Sequence, residues 1–232
     1  MTKTFIFDTG PIITFALNNL IWLIPELKEA CGGRFCIPAA VKKELIDKPL
    51  TTRRYKLEAL QLIPLLNDGV IEVIDKVKTD AITRQLLEEL NTIYYAKEHP
   101  IKIVHEGEVD AISCALLMGA DALVVDERNT RYLIETPKRL QRRLEKKLHT
   151  KVIIDEDMLA KVQQKFKGLK VLRTAELATV AYELGLLDRY INKGLVNAKR
   201  KLLEGLLWGV KLNGCAMTPD EIDEIMKIEQ NI

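Results

Sequence analysis

The stretch of residues 106–131 gathers acidic side chains at the points where secondary-structure elements begin or end. Its sequence, EGEVDAISCALLMGADALVVDERNTR, predicts an alanine-rich helix that Gly119 ends, followed by an apolar strand that stops at Asp126. Asp110 lies near the start of that helix. Because a segment built only for packing has no use for acids at its ends, this pattern indicates a metal site with further ligands elsewhere in the chain.

Converging carboxylates restrict the chemistry of such a site. Two carboxylates about 4 Å apart repel each other by roughly 4 kcal/mol at an effective dielectric constant near 20. Proteins avoid this repulsion by protonation or by a bound cation. Oxygen ligands alone suit Mg²⁺ or Mn²⁺, and a hydrated divalent ion can activate water against a phosphodiester. The acids therefore indicate metal-dependent nuclease or phosphatase chemistry.

The elements that position these acids alternate between strand and helix. Short apolar strands are predicted at residues 4–7, 34–37, 70–74 and 122–125, with helical segments between them. This order predicts an α/β fold with a parallel β-sheet flanked by helices. Asp8 and Asp126 follow two of the strands, and ligands bind at the carboxyl ends of such strands.

A helix that starts after Pro38 carries a further acid. Val41 and Leu45 lie one turn apart on its inner face, and Glu44 lies at the edge of that face. The helix by itself is consistent with a solvated glutamate as well as with a ligand. Further helical patterns cover residues 51–66 and 79–95.

A strongly basic helix is predicted at residues 137–151. Its leucines recur at every fourth position, and it has a single acid, Glu145. Its cations are Lys138, Arg139, Arg142, Arg143, Lys146, Lys147 and Lys151. The pattern fits a solvated amphipathic helix and a nucleic-acid contact equally well.

Composition excludes several classes of protein. The formal net charge is +2 and the mean hydropathy is -0.02, so any nucleic-acid contact must come from local basic segments. The four cysteines lack the spacing of a structural zinc site. Asp8 interrupts the first apolar run too early for a signal peptide, and residues 11–24 make up roughly half a membrane span. We expect a cytoplasmic protein with no membrane partner.

Three motifs together resemble the PIN-domain family. They are FIFDTGPI, IPAAVKKEL and GEVDAISCALLMGADALVVDERNTR, and they occur in order between residues 3 and 131. The resemblance implies a Mg²⁺- or Mn²⁺-dependent ribonuclease with RNA as its substrate. Because many family members are toxins, it also raises an antitoxin as a partner. Carried over by position, the four acids of the pocket are Asp8, Glu44, Asp110 and Asp126.

The resemblance also ranks the neighbouring side chains. Glu108 is a second-tier metal ligand, because an acid in the first turn of a helix can simply stabilise that helix end. Asp126 is preferred to Glu127, which points away if the strand ends at residue 126. Arg131 either meets a phosphate or pairs with an acid. With Arg131, the basic-helix residues Arg139, Arg142 and Arg143 are the predicted substrate contacts.

The predicted organisation has three parts. Residues 1–131 form the PIN-like catalytic core, residues 132–173 a basic helical insertion with further strands of the core, and residues 174–232 a helical C-terminal extension. This length exceeds a minimal PIN fold, and a capping box at Thr218-Pro219-Asp220-Glu221 predicts the start of the last helix. A homodimer through the apolar region 202–208 is compatible with the pattern.

Other functions fit the sequence less well than a nuclease does. Asp8-Thr9-Gly10 is also the aspartic-protease signature, but it occurs once and in a helix-rich context. A D-x-D phosphatase needs an aspartate at position 10, which is glycine. The main alternative is a non-catalytic PIN-like module that binds RNA or protein.

Overall fold

The computed structural model describes residues 2–192 and 194–229, apart from the side chains of residues 76–78. Residues 1 and 230–232, at the ends of the predicted core and extension, lie outside this description. The described strands are β1 (Thr4–Phe7), β2 (Arg34–Pro38), β3 (Ile71–Ile74), β4 (Tyr94–Ala96), β5 (His99–Pro100), β6 (Ala122–Val124), β7 (Val152–Ile154) and β8 (Lys170–Leu172).

The helices in the first half of the chain are α1 (Thr9–Leu17), α2 (Leu23–Cys31), α3 (Ala39–Lys42), α4 (Lys48–Thr51), α5 (Lys56–Asn67), α6 (Lys76–Leu90) and α7 (Glu106–Leu117). Those in the second half are α8 (Arg128–Glu135), α9 (Pro137–Leu148), α10 (Glu156–Lys165), α11 (Thr174–Glu183), α12 (Ala198–Leu212) and α13 (Pro219–Glu229). A π-helical segment, Lys43–Asp47, joins α3 to α4, and Asp188–Tyr190 forms a short 3-10 turn.

The main sheet is parallel, in the order β3-β2-β1-β6-β8. Successive side chains of β1 pack into different layers: Ile6 belongs to one apolar cluster, and Phe5 and Phe7 belong to the other. Helices α6 to α10 cover the first face, while α1, α2, α5 and α11 cover the second. The predicted α/β fold with a parallel sheet, flanking helices and a helical C-terminal extension is confirmed.

The central position of β1 explains its sequence. A parallel strand covered on both faces must be apolar throughout, and all four of its residues are buried. The strand is followed by a helix whose first turn contains Pro11, where the missing backbone N–H costs nothing. Asp8 therefore lies at the carboxyl edge of the sheet, next to the end of β6.

The C-terminal extension packs on α11. A third apolar cluster joins Ala175 and Ala178 of α11 to Leu203 of α12 and Met226 of α13. The predicted capping box of the last helix is present, since Thr218 N donates to Glu221 Oε2 at 2.7 Å and Glu221 N donates to Thr218 Oγ1 at 3.2 Å.

Two of the expected helices differ from the structure. The segment predicted to be helical over residues 79–95 ends as α6 at Leu90, and Tyr94–Ala96 forms β4 of a small antiparallel sheet in the order β5-β4-β7. Asn91 causes the break, because its Oδ1 accepts hydrogen bonds from Ile103 N and Val104 N. The segment predicted as one helix over residues 51–66 is interrupted between α4 and α5.

The region of residues 132–173 contributes to the same core as the preceding part of the chain. Leu140 and Leu144 of α9 and Val162 of α10 are buried in the cluster that also contains Ile6. Strand β8 pairs with β6 and completes one edge of the main sheet. No helix within the described residues is long and apolar enough to cross a membrane.

Candidate active site

Asp8 stands at the point where β1 turns into α1. Its backbone N–H donates to Val124 O at 3.0 Å, which continues the pairing of β1 with β6 by one residue. Burial, reinforced by the nearby charges of Glu108 and Glu44 and opposed by the backbone N–H groups of Thr9 and Gly10, raises the pKa of Asp8 from 3.8 to about 7. The side chain is thus held close to other carboxylates.

Glu44 reaches this edge from the π-helical segment. Its Oε2 accepts a hydrogen bond of 2.7 Å from Thr9 Oγ1, and its carboxylate is exposed. A Cβ atom placed on Gly107 would lie 3.4 Å from Glu44 Oε1, so Glu44 also lies against the first turn of α7. A π-helical turn shifts the side chains that follow it, and such turns are frequent at functional sites.

Glu108 lies in that first turn of α7. Its Oε2 accepts a hydrogen bond of 2.7 Å from His105 N. Burial raises the pKa of Glu108, an effect that the charges of Glu127 and Glu44 reinforce and that His105 opposes. Glu108 is therefore a neighbour of Asp8 and Glu44, although the sequence ranked it second.

Glu127 is the fourth acid of this group. It begins α8, and its Oε2 accepts a hydrogen bond of 2.7 Å from Thr130 N. Strand β6 ends at Val124, so the strand end at residue 126 that would direct Glu127 away is not present, and the charge of Glu127 acts on Glu108. We refer to Asp8, Glu44, Glu108 and Glu127 as the acid cluster.

Asp110 is placed apart from the acid cluster. It is buried between α7 and α6, where its Oδ1 accepts hydrogen bonds from Thr79 Oγ1 at 2.8 Å and Thr83 Oγ1 at 3.2 Å. A helix turns about 100° per residue, so positions 108 and 110 point to nearly opposite sides. The described hydrogen bonds of Asp110 do not join it to the acid cluster, and its Oδ2 is buried without a hydrogen-bond partner in the described structure.

Asp126 is also buried, with 3% of its surface exposed. Its Oδ1 accepts a hydrogen bond of 2.8 Å from Thr174 N, and its Oδ2 accepts from Thr14 Oγ1 at 2.8 Å and Thr174 Oγ1 at 2.7 Å. These bonds tie α1 and the start of α11 to the end of β6. A Cβ atom on Gly10 would lie 3.5 Å from Asp126 Cβ and 3.8 Å from Asp8 Oδ2, so Asp126 lies beside Gly10 and near Asp8, although its described hydrogen bonds go to α1 and α11.

A family model described as a PIN domain matches residues 4–136, which is more than half of the chain. The chain belongs to the PIN-domain family. PIN domains are generally nucleases, and they generally use divalent metal ions. No curated protein matches the chain, and no solved structure matches it.

The acid cluster of this PIN domain fits a hard divalent ion by the chemistry of its donors. All of its ligating atoms are carboxylate oxygens, and none of its members forms an ion pair within the described residues. Among all the described residues, no group of three or more His, Cys, Asp or Glu side chains is arranged to hold a metal ion directly. Mg²⁺ does not require such a group, because it retains several waters and needs only one or two direct carboxylates.

Arg131 is not at the acid cluster of the PIN domain. Its side chain is buried, with Nη2 3.6 Å from Glu221 Oε1 and the guanidinium carbon 5.2 Å from the Tyr132 ring centre. Of the two roles considered from the sequence, pairing with an acid matches these contacts. That acid, Glu221, belongs to α13, which lies outside the motif at residues 106–131.

The other three predicted arginines lie on one surface of the PIN domain. Arg139, Arg142 and Arg143 line an open groove of about 450 Å³ between α8 and α9. Its remaining lining residues are Arg128, Tyr132, Lys146 and Lys147. We call this the basic groove. Its residue Arg128 directly follows Glu127 of the acid cluster in the sequence.

The basic groove has no acidic lining residue, and its cations form no ion pair within the part of the chain that the structure describes. Arg143 Nε donates to Asn129 Oδ1 at 3.2 Å, and the guanidinium of Arg139 lies 4.7 Å from the Tyr132 ring centre. Of the three leucines of α9, Leu140 and Leu144 dock on the core, while Leu148 is exposed.

Proposed function

We propose that this PIN domain is a metal-dependent endoribonuclease that hydrolyses RNA phosphodiester bonds with Mg²⁺ or Mn²⁺. The observation that carries the proposal is the acid cluster: four separate segments bring carboxylates to the carboxyl edge of the sheet, and no cationic side chain among the described residues forms an ion pair with them. Such an arrangement is costly unless a bound cation offsets the repulsion.

The acid cluster divides into residues that hold the ion and residues that support them. One or two of Asp8, Glu44 and Glu108 are proposed to bind the ion directly and the rest through its waters, and Glu127 supplies further negative charge beside Glu108. When bound, the ion supplies charge stabilisation for the phosphoryl group and lowers the pKa of water. Thr9 orients Glu44 through its hydroxyl, and a bound cation would lower the raised pKa of Asp8 and keep it ionised as a ligand.

This assignment revises two of the sequence-based ligands. Asp110 and Asp126 are proposed to hold helices in place, because their described hydrogen bonds go to threonines and to the backbone at the start of α11. They position the elements that carry Glu108 and Glu127.

The basic groove is the proposed binding surface for the RNA backbone. Its exposed lysines and arginines can neutralise phosphates without regard to sequence. Arg128 extends this charge to the acid cluster. A chain bound along α9 is thereby led towards the proposed metal ligands.

A second candidate function is a PIN-like module that binds RNA or protein without cleaving it. The observation in its favour is that the described residues hold no group of three or more metal-ligating side chains. In this case the basic groove still binds RNA. A toxin activity controlled by an antitoxin, and a homodimer, are compatible with either candidate.

Cleavage of labelled single-stranded RNA by the purified full chain distinguishes the two candidates. We expect cleavage with Mn²⁺ that EDTA abolishes and that Asp8→Asn lowers by about 100-fold or more, the scale typical of losing a group that stabilises charge in the transition state. Asp47→Asn is the matched control, because Asp47 is an exposed carboxylate of the π-helical segment that pairs with Lys42. RNA binding without cleavage under all tested metals supports the binding module instead.

A further inference from the structure

A groove lined by apolar and acidic side chains runs between α11 and α13 on the C-terminal extension. Both helices pack on α12, and the groove between them has a volume of about 390 Å³. Val180 of α11 and Ile228 of α13 lie on its walls with 37% and 55% of their surfaces exposed, and Ile225 is partly buried beside them. Exposed apolar side chains gathered in one groove indicate a binding surface.

The rim of this groove is acidic. Its glutamates are Glu176, Glu183, Glu221, Glu224 and Glu229. Arg173 pairs with two of them, Glu176 and Glu221. The other three form no ion pair within residues 2–192 and 194–229. We call this feature the acid-rimmed groove.

Two of these unpaired acids face each other across the groove. The charge of Glu183 and a hydrogen bond to it add to partial burial in raising the pKa of Glu229. Repulsion between these carboxyl groups is relieved when a cation binds between them. Arg173 balances only Glu176 and Glu221, so Glu183, Glu224 and Glu229 have no ion-pair partner within the described residues, and the apolar side chains of Val180 and Ile228 beside them are exposed.

We propose that the acid-rimmed groove binds a basic amphipathic helix of a partner protein. Ile225 and Ile228 are spaced i, i+3 on α13, and Val180 of α11 lies on the opposite wall. These apolar side chains match the apolar stripe of a docked helix. Lysines and arginines beside that stripe would meet the rim glutamates. The proposal is independent of nuclease activity.

A synthetic helical peptide tests this with the full-length protein. The probe has leucines at i, i+3, i+4 and i+7 and lysines on the flanking positions. The control peptides have the same composition in scrambled order, and glutamate in place of lysine. We expect fluorescence anisotropy to show salt-dependent binding of the striped basic peptide alone, and no binding of it at any accessible concentration would overturn the proposal.

Substitutions in the groove locate the binding. Val180→Asp with Ile228→Asp is expected to weaken the peptide's affinity by about ten-fold or more, which is about 1.4 kcal/mol. Glu183→Gln with Glu224→Gln and Glu229→Gln should weaken it and flatten its salt dependence. The matched control is Glu26→Gln with Glu29→Gln and Glu88→Gln, which are exposed glutamates on α2 and α6.

Other outcomes overturn the proposal. Equal affinity of the groove variants, with circular dichroism showing that they are folded, would place the peptide elsewhere. The basic helix α9 of a second copy is the competing occupant. If light scattering shows that the chain self-associates, and if Arg142→Glu and Ile228→Asp each abolish that association, the groove belongs to a second copy and not to a partner protein.

Discussion

The acid cluster and the two buried aspartates, Asp110 and Asp126, show how neighbours decide what a carboxylate does. The members of the acid cluster lie among other acids, and burial together with the charges of Glu108 and Glu44 raises the pKa of Asp8. Asp126 instead accepts three hydrogen bonds from threonines of α1 and α11. The first arrangement is unfavourable for folding and suited to a cation, while the second contributes to stability.

The arginines divide in the same way. Arg131 is buried and paired with Glu221, whereas Arg142 lines the open basic groove. Among the acids and among the arginines alike, the side chains without an ion-pair partner in the described residues are the ones available to a ligand. The following predictions test this division, beginning with the largest expected effect.

Removing Asp126 should cost the most stability. Asp126→Ala leaves the hydroxyls of Thr14 and Thr174 and the backbone N–H of Thr174 without their acceptor, so we expect the free energy of unfolding to fall by about 3 to 5 kcal/mol. Urea denaturation monitored by circular dichroism measures the change. Glu127→Ala serves as the comparison and should cost about 1 kcal/mol, the typical value for a lost helix cap.

The next comparison separates Glu108 from Asp110. Glu108→Gln should lower Mn²⁺-dependent cleavage by about 100-fold with a small change in stability, because the amide oxygen can still accept from His105 N. Asp110→Asn should keep most of the activity and lose about 1 to 2 kcal/mol of stability. Parallel kinetics and denaturation decide between them, and the reverse pattern would restore Asp110 as the ligand.

The pH dependence of stability should have opposite signs at two acids. The pKa of Asp8 is raised from 3.8 to about 7, so the folded state binds its proton more tightly, and this contribution is lost as the pH rises through that range. Asp8→Asn should therefore stabilise the metal-free protein by about 4 kcal/mol at pH 8 relative to the wild type.

Glu89 provides the contrast. It is buried, and its hydrogen bonds with Lys165, Lys161 and Gln85 outweigh the effect of burial and lower its pKa from 4.5 to about 2. Its stabilising contribution is present above pH 4.5 and is lost as the pH falls towards 2. Glu89→Gln should remove only the loss of stability at acidic pH. Asp8→Asn should remove only the loss of stability as the pH rises towards neutral. Thermal unfolding of the metal-free variants across pH measures both effects. The comparison is wrong if the two substitutions flatten the same part of the pH profile.

The arginines should show the smallest effects. Arg142→Gln should weaken binding of RNA by about 0.5 to 1 kcal/mol and reduce the slope of log K against log salt by about 1, with unchanged melting temperature. Lys138→Gln is the matched control on α9, since Lys138 is exposed and does not line the basic groove. Arg131→Gln should lower the melting temperature and leave the salt slope unchanged, because its guanidinium is buried against Glu221.

Much of the fold follows from local patterns. Apolar runs of strand length, Gly119 after α7 and the capping box at Thr218 predicted strands and helix ends that the structure contains. The break after α6 was missed, since it depends on hydrogen bonds from Asn91 to residues 103 and 104. Helical spacing in residues 79–95 gives no sign of those distant partners.

The sequence by itself determined that the chain is an α/β protein of the PIN-domain family with acids at its strand and helix ends. It did not determine which acid of each close pair faces the others. The two acids of each pair, Glu108 with Asp110 and Asp126 with Glu127, lie one or two residues apart, so their directions depend on helix phase and on where β6 ends. Only the tertiary structure decided this, because threonines 79, 14 and 174, which bind the buried aspartates, lie more than 30 positions away along the chain.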